Sequence, residues 1–316
     1  MEKLTIVTFI SNNESPNLNL FSLLNTLNTA VKNIKMIIYT DIDINIDSFQ
    51  NKSVDITICP GTTKYKRILM SFMNAKTENI LYIDNDITPD NDNLLKLISG
   101  FNDNTDIAWG YIGVTEINGF IPNLIAIDKL LSHKIIRPLL WKFGIGISVP
   151  GQVFLINTSK FRNDLPSYDT VFDDLTIGII TKQFNYSVSC LPLYLGYEKP
   201  SSAFSTLVMQ RKHWAKGFYQ SICNNIHDKI LPYILLHGLV YHFLWLPVWI
   251  IIVFAGLFSI PLGVIIFIIV CSCLCNRKFL RIGYSFAYAV VFPFIHLIWF
   301  FTLIYNILIE IGQTKE

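Results

Sequence analysis

Charged residues are scarce in this sequence. Only 15% of its 316 residues are Asp, Glu, Lys or Arg, and the mean hydropathy is +0.43, whereas soluble domains carry about 25% charged residues. No charged residue occurs between Lys229 and Arg277, or between Arg281 and Glu310. These gaps exclude an ordinary soluble domain at the C-terminal end and favour membrane-spanning segments there.

Cysteines and long basic runs are also few. Six cysteines in a chain of this length do not make a disulfide framework. A net charge of +2 without a long Lys/Arg run argues against a nucleic-acid partner.

The first ten residues contain Glu2 and Lys3 beside a short apolar stretch, which is not a signal-peptide pattern. We therefore expect the N-terminal part to stay in the cytoplasm.

The N-terminal 200 residues alternate strand-like and helix-like segments. The expected strands are Leu4–Ile10, Ile34–Tyr39, Val54–Cys59, Ile80–Ile83, Ile107–Val114 and Gln152–Ile156. Ser15-Pro16 and Gly61-Thr62-Thr63 are helix-start signals, and another helix is expected around Asp174–Phe184. This order predicts an α/β fold with a doubly wound, mixed but mostly parallel sheet, whose ligands bind beyond the carboxyl ends of its strands.

Residues 201–229 have the pattern of an amphipathic helix. Apolar residues including Trp214 recur at helical spacing, with Arg211, Lys212 and Lys216 between them, and no acid occurs between Glu198 and Asp228. Such a helix lies among lipid headgroups, although a cationic surface helix packed on the globular domain has the same pattern.

Residues 230–316 form the expected transmembrane region. The charge gaps predict spans at about 232–254, 257–275 and 284–309. Arg277, Lys278 and Arg281 lie between the last two spans, and the positive-inside rule makes that loop cytoplasmic. The chain is therefore expected to be an integral membrane protein.

Acidic pairs occur at two places in the N-terminal part. Asp84-Asn85-Asp86 follows the fourth strand, where two carboxylates are costly unless a cation joins them, and Mg²⁺ binds one or two carboxylates together with phosphate oxygens. An ordinary acidic loop is the alternative. Lys64 lies at a helix N-terminus beside Thr63, a position that favours a diphosphate. Asp173-Asp174 opens a later helix.

In this order the motifs resemble those of the family-2 inverting glycosyltransferases, which have a GT-A fold. The similarity is greatest to the membrane-attached branch that includes the ceramide glucosyltransferases. The matching features are Asp41 after a strand, Asp84-Asn85-Asp86, Asp173-Asp174, and Gln210 to Trp214 ahead of the membrane helices. His213 stands where the family usually has arginine, and the N-terminal span common in that branch is missing.

The resemblance implies a role for each matching residue. Asp174 would be the general base. The nucleotide-sugar side would consist of Asp41, Lys64, Asp84 and Asp86. Asp86 and Asp84 would also hold Mg²⁺ or Mn²⁺, with Asp86 the better candidate for direct ligation. The acceptor and diphosphate side would consist of Gln210, Arg211, His213 and Trp214.

Three of the matching residues also have a plainer structural alternative. Asp41 has the position of a strand-end turn residue, Asp173 that of a helix N-cap, and Trp214 that of an interfacial anchor.

The expected function is transfer of a sugar from a UDP-sugar to a lipid hydroxyl at the bilayer, without processive synthesis. The alternatives are a polyprenyl-phosphate glycosyltransferase or a polysaccharide synthase. A non-catalytic nucleotide-sugar-binding scaffold or transporter component is an alternative of another class.

Overall fold

This computed structural model describes residues 4–12, 14–44, 53–243, 245–273 and 282–313. The chain forms two compact units. The first comprises residues 1–113 and 140–199, and the second comprises residues 114–139 and 200–316.

The first unit is built around an eight-stranded sheet. Its strands are β1 Leu4–Ile10, β2 Ile34–Thr40, β3 Val54–Ile58, β4 Asn79–Ile83, β5 Ile87–Pro89, β6 Ile107–Val114, β7 Val153–Asn157 and β8 Val188–Glu198. Their order across the sheet is β3-β2-β1-β4-β7-β6-β8-β5. All six strands expected from the sequence are present within a residue or two, and β5 and β8 are additional.

The two halves of the sheet differ in strand direction. β1 pairs parallel with β2 and β4, and β2 pairs parallel with β3. By contrast, β7 is antiparallel to both β4 and β6, and β5 is antiparallel to β8. The expectation of a mostly parallel sheet therefore holds only for the first four strands. The antiparallel register sets Ile83 opposite Val153, so the start of β7 lies beside the end of β4.

Helices cover both faces of this sheet. They are α1 Leu18–Ala30, α2 Lys64–Asn74, α3 Asn91–Gly100, α6 Thr158–Phe161 and α7 Asp173–Gln183. α1 and α3 pack on one face with Leu4 and Ile6, and α2, α6 and α7 pack on the other with Val7 and Phe9. Burial on both faces explains why five of the seven residues of β1 are apolar. The N-cap of α1 is Asn17, two residues later than the predicted Ser15.

The second unit is helical. It contains α4 Phe120–Leu130, a π-helical turn Leu131–Ile136, α8 Phe204–Asn224, α9 Leu231–Gly238, a second π-helical turn Leu239–Phe243, α10 Trp245–Phe258, α11 Ile260–Cys273 and α12 Ile282–Gln313. α5 Arg137–Lys142 continues the chain from the first π-helical turn. The core of this unit is formed by α4, α8 and α12 through Leu124, Leu207 and Phe292.

One described helix is long and apolar enough to cross a membrane, namely Gly283–Ile309 within α12. Leu231–Phe243 and Pro247–Phe258 meet the same criterion only if they are counted together as one broken span. α11 has 14 residues, about 21 Å of helix, which is shorter than a hydrocarbon core of about 30 Å. The described residues thus contain one or two candidate spans, against three predicted. The predicted cytoplasmic loop with Arg277, Lys278 and Arg281 lies outside them.

Candidate active site

A pocket of about 250 Å³ lies in the first unit at the carboxyl ends of β1, β2 and β4. This edge is where open α/β sheets bind their ligands. The lining residues are Phe9, Ser11, Glu14, Asp41, Thr62, Lys64, Arg67, Asp84, Asn85 and Asp86. The four residues predicted for the nucleotide-sugar side, which are spread over 46 positions of the sequence, therefore lie around one pocket.

Asp41 directly follows β2 and is held in place by two donors. Its Oδ1 accepts hydrogen bonds from Arg67 Nη2 at 2.5 Å and from the backbone N–H of Gly61 at 3.2 Å. Arg67 is buried and also donates to the Ile10 carbonyl and the Thr62 hydroxyl. Because a buried guanidinium needs a charged partner, Asp41 is more than a solvated turn residue. Arg67 was not predicted from the sequence.

Lys64 is the first residue of α2, and its ammonium group lies between the carboxylates of Asp84 and Asp173. With the nearby Asp86, these carboxylates form an acidic cluster. Thr63 caps the helix, accepting from the Lys66 backbone N–H. The ammonium group of Lys64 donates to Asp84 Oδ2 and to the Gly151 carbonyl, each at 2.9 Å, and lies 3.3 Å from Asp173 Oδ2. Lys64 thus joins the ends of α2, β4 and α7 through charge-assisted contacts.

Three carboxylates, those of Asp84, Asp86 and Asp173, surround a single lysine in this cluster. Burial alone would lower the pKa of Lys64, but the carboxylates of Asp173 and Asp84 outweigh burial and raise it. Burial raises the pKa of Asp84 to about 7, with Asp173 and Asp86 adding to the rise and Lys64 opposing it. A single lysine does not neutralise these carboxylates, so the arrangement favours an incoming cation.

Asp173 and Asp174 form the first turn of α7. The N-cap position is held by Phe172, without a side-chain hydrogen bond, so the interpretation of Asp173 as an N-cap is wrong. Asp174 Oδ1 accepts from the Leu175 backbone N–H at 2.8 Å. A Cβ built on Gly151 would lie 3.1 Å from Asp174 Cβ. Asp174 therefore packs against the residue whose carbonyl binds Lys64.

The donor set of the pocket fits a hard divalent cation. No group of three or more His, Cys, Asp or Glu side chains that could hold a metal exists among the described residues. Mg²⁺, however, takes only one or two protein carboxylates when phosphate oxygens complete its shell. Asp86 is exposed and lines the pocket, whereas Asp84 is engaged by Lys64, so Asp86 is the freer of the two ligands.

The predicted acceptor-side residues lie in the second unit, on α8. Gln210 and His213 are exposed, and Trp214 is half-buried. Arg211 is buried, and its Nη2 lies 2.6 Å from Asp128 Oδ2. Its guanidinium carbon also lies 4.3 Å from the centre of the Trp214 ring, a cation–π distance.

Asp128 is bound by a second donor as well. The Tyr288 hydroxyl donates to Asp128 Oδ1 at 3.0 Å, so one carboxylate joins α4, α8 and α12. Arg211 was predicted to lie on the acceptor and diphosphate side, whereas Asp128 and Tyr288 were not predicted from the sequence. Both residues lie far from Arg211 in the sequence, and no motif links them.

Comparison with known proteins identifies the family. Residues 79–309 match the family described as Glycosyl transferase family group 2. This match covers well over half of the chain, and the chain belongs to that family. Comparison with curated proteins gives no match.

Several solved glycosyltransferase structures are similar to this chain. The mannosyltransferase PcManGT from Pyrobaculum calidifontis, in complex with GDP-Man and Mn²⁺, is similar over 96% of this chain and 86% of its own, with a TM-score of 0.54 and 10% identity. TarS 1-349 of S. aureus, in complex with UDP-GlcNAc, is similar over 74% and 71%, with a TM-score of 0.48 and 14% identity. The first similarity supports the predicted GT-A-type fold.

Proposed function

We propose that this chain is a membrane-bound inverting glycosyltransferase that moves a sugar from a UDP-sugar to a lipid hydroxyl. One observation carries the proposal. In a chain of this family, the pocket beyond β1, β2 and β4 is lined by carboxylates from separate segments, and Lys64 is the cation among Asp84 and Asp173. A pocket of this charge suits a diphosphate that arrives with a divalent cation.

The donor would extend along the pocket. Asp41, fixed by Arg67, would contact the base, and Asp84 and Asp86 would lie on the diphosphate side with Lys64. Mg²⁺ or Mn²⁺, held by Asp86 and assisted by Asp84, would neutralise the charge that develops on the leaving diphosphate. Lys64 already has carboxylate partners, so it would act chiefly by holding Asp84 and α7 in place.

Asp174 is proposed as the general base. Its position at the first turn of α7, against Gly151, is adjacent to the Lys64 cluster. A carboxylate there would take the proton of the acceptor hydroxyl as the new bond forms at the anomeric carbon. Because the hydroxyl would attack opposite the leaving diphosphate in a single displacement, the configuration at that carbon would invert.

The lipid acceptor is proposed from the second unit. Gly283–Ile309 is a candidate span, and α8 exposes Lys212 and Lys216 on a helix that has no acidic residue. Such a helix would lie among headgroups. Gln210, His213 and Trp214 would then belong to the acceptor and diphosphate side, with Arg211 engaged by Asp128 and the catalytic unit in the cytoplasm.

Transfer to lipid can be measured directly. Membranes from cells expressing the full chain are incubated with radiolabelled UDP-sugars or GDP-mannose, Mn²⁺ and a lipid extract, and then partitioned between organic solvent and water. We expect UDP-sugar label in the organic phase for the wild type and background label for Asp86→Ala. The exposed Asp103→Ala is the control for loss of a carboxylate and should retain activity.

Each other result of this assay would support one of the alternative functions. Label in an aqueous polymer would overturn the lipid acceptor in favour of polysaccharide synthesis, and acid-labile organic-phase label would indicate a polyprenyl-phosphate acceptor. Label from GDP-mannose alone would overturn the UDP-sugar assignment. Nucleotide binding without any transfer or hydrolysis would support the non-catalytic scaffold.

A further inference from the structure

The middle residue of Asp84-Asn85-Asp86 is buried, although its neighbour Asp86 is exposed. Asn85 Oδ1 accepts from the Asn17 backbone N–H at 3.0 Å. Asn85 Nδ2 donates to the Ser15 carbonyl at 3.0 Å and, at 3.4 Å, to Glu14 Oε2. The side chain therefore binds the loop that follows β1.

Asn17 binds back to the same turn. Its Nδ2 donates to the carbonyls of Asn85 and Ile87, each at 2.8 Å. These two carbonyls flank Asp86 on either side, and the Ile87 backbone N–H closes the turn onto the Asp84 carbonyl at 3.1 Å. One side-chain amide thus fixes the backbone before and after an exposed carboxylate.

We propose that Asn17 and Asn85 are positioning residues that hold the Asp86 carboxylate in the orientation needed to bind the divalent cation of the donor. This inference rests on the proposed function. With Asn85 directed inward, Asp84 reaches Lys64 and Asp86 lies at the pocket. A carboxylate on a fixed turn loses less conformational freedom when it binds a cation.

The same pair also fixes one wall of the pocket. Glu14 lines the pocket, and its Oε2 accepts from the Ser11 backbone N–H at 3.3 Å as well as from Asn85. Asn17 Oδ1 in turn caps α1 through the Asn19 backbone N–H. Any test must therefore separate loss of the helix cap from loss of the amide donors.

Asn17→Ser makes this separation, because serine is as good an N-cap as asparagine but lacks the amide that binds the two carbonyls. The matched control is Asn93→Ser, which removes a similar 3.0 Å bond from Nδ2 to the Tyr194 carbonyl in α3. Asn85→Ala is a second variant, which removes the acceptor for Asn17 and both donors without adding a buried charge beside Glu14.

Calorimetry measures the binding of UDP and of GDP to the full-length protein in detergent, once with Mn²⁺ and once with EDTA. Thermal unfolding of each variant is measured in parallel. We expect Asn17→Ser and Asn85→Ala to weaken Mn²⁺-dependent binding about tenfold, as is typical for residues that orient a metal ligand. Binding in EDTA should change less than about twofold, because the Asp41–Arg67 side is untouched. Asn93→Ser should change Tm without changing nucleotide affinity.

Two results would overturn the inference alone: unchanged Mn²⁺-dependent binding in both folded variants, or equal weakening with Mn²⁺ and with EDTA. If the wild type bound neither nucleotide, the proposed function would fail, and the inference would fail with it.

Discussion

Both units of the molecule contain ion pairs, but the pairs differ in their surroundings. In the first unit, Lys64 lies among Asp84 and Asp173 beside a pocket, and the exposed Asp86 adds a further carboxylate. Negative charge is in excess there, which is the basis for the proposed divalent cation.

In the second unit, the guanidinium of the Arg211–Asp128 pair is enclosed, whereas the Asp128 side chain is 21% exposed. The guanidinium carbon lies 4.3 Å from the centre of the Trp214 ring and 5.5 Å from that of the Phe292 ring, and Tyr288 donates to the carboxylate. The two charges of this pair balance each other, although Arg211 Nε has no hydrogen-bond partner among the described residues.

A buried ion pair by itself therefore does not mark an active site. What distinguishes the first unit is uncompensated charge at an open edge of the sheet. The Arg211–Asp128 pair of the second unit joins three helices. Substitutions in the first unit should therefore alter chemistry, and substitutions of the Arg211–Asp128 pair should alter stability.

The largest effect is expected for Asp174→Asn. Loss of the proposed base should reduce kcat about 10²- to 10⁴-fold and leave donor affinity nearly unchanged, because the substitution removes a proton acceptor. Steady-state transfer and donor calorimetry measure the two quantities. Asp103→Asn, at an exposed loop position, is the control. Normal turnover in Asp174→Asn would show that the base is another residue.

Arg211→Met tests the Arg211–Asp128 pair. It leaves Asp128 without its cation and should lower the free energy of unfolding by about 3 kcal/mol, measured by denaturation of the full chain in detergent. Adding Asp128→Leu should restore most of that loss, since no unpaired charge then remains. If Arg211→Met kept its stability but lost donor binding, the contrast between the two units would fail.

Gly178→Ala tests how closely α7, the helix that begins with Asp173 and Asp174, packs against the backbone of Ile147. An added Cβ would lie 2.2 Å from the Ile147 carbonyl oxygen, so backbone must move. Overpacking should cost about 1 to 3 kcal/mol, more than alanine's helix-propensity gain of about 1 kcal/mol. Thermal unfolding measures the loss, and an increase in Tm would contradict this close packing.

The smallest effect is expected for Gly256→Ala in α10, where an added Cβ meets nothing within 4 Å. Stability should stay the same or rise by up to about 1 kcal/mol from helix propensity. Gly263→Ala in α11 is the matched control, because its Cβ would lie 2.9 Å from Gly256 Cα. It should destabilise the chain, and equal Tm values for the two variants would contradict the close approach of α10 and α11.

Much of the first unit could be predicted from local patterns. Strands were predicted at Leu4–Ile10 and Ile80–Ile83 and are present at Leu4–Ile10 and Asn79–Ile83, and Gly61-Thr62-Thr63 correctly indicated the helix beginning at Lys64. β8 was missed because its residues are only partly buried, so its sequence lacks a continuous apolar run. The direction of β7 was also not predictable, since alternation does not distinguish parallel from antiparallel pairing.

The candidate site was predictable only in part. Asp41, Lys64, Asp84 and Asp86 were identified from a motif order and do line one pocket. Arg67 was not identified, because an arginine on a helix is ordinary until its partner is known. The Gly151 carbonyl was missed for a similar reason, since a backbone acceptor has no sequence signature.

Local sequence patterns are enough to place most strands and helices and the uncharged stretches, because hydrophobic periodicity and capping act over a few neighbouring residues. Which charged groups come into contact depends on the folded chain. Lys64 reaches Gly151 across 87 positions, and Tyr288 reaches Asp128 across 160. Such long-range contacts depend on sheet register and helix packing, and both are set by burial over the whole unit rather than by any local stretch of chain.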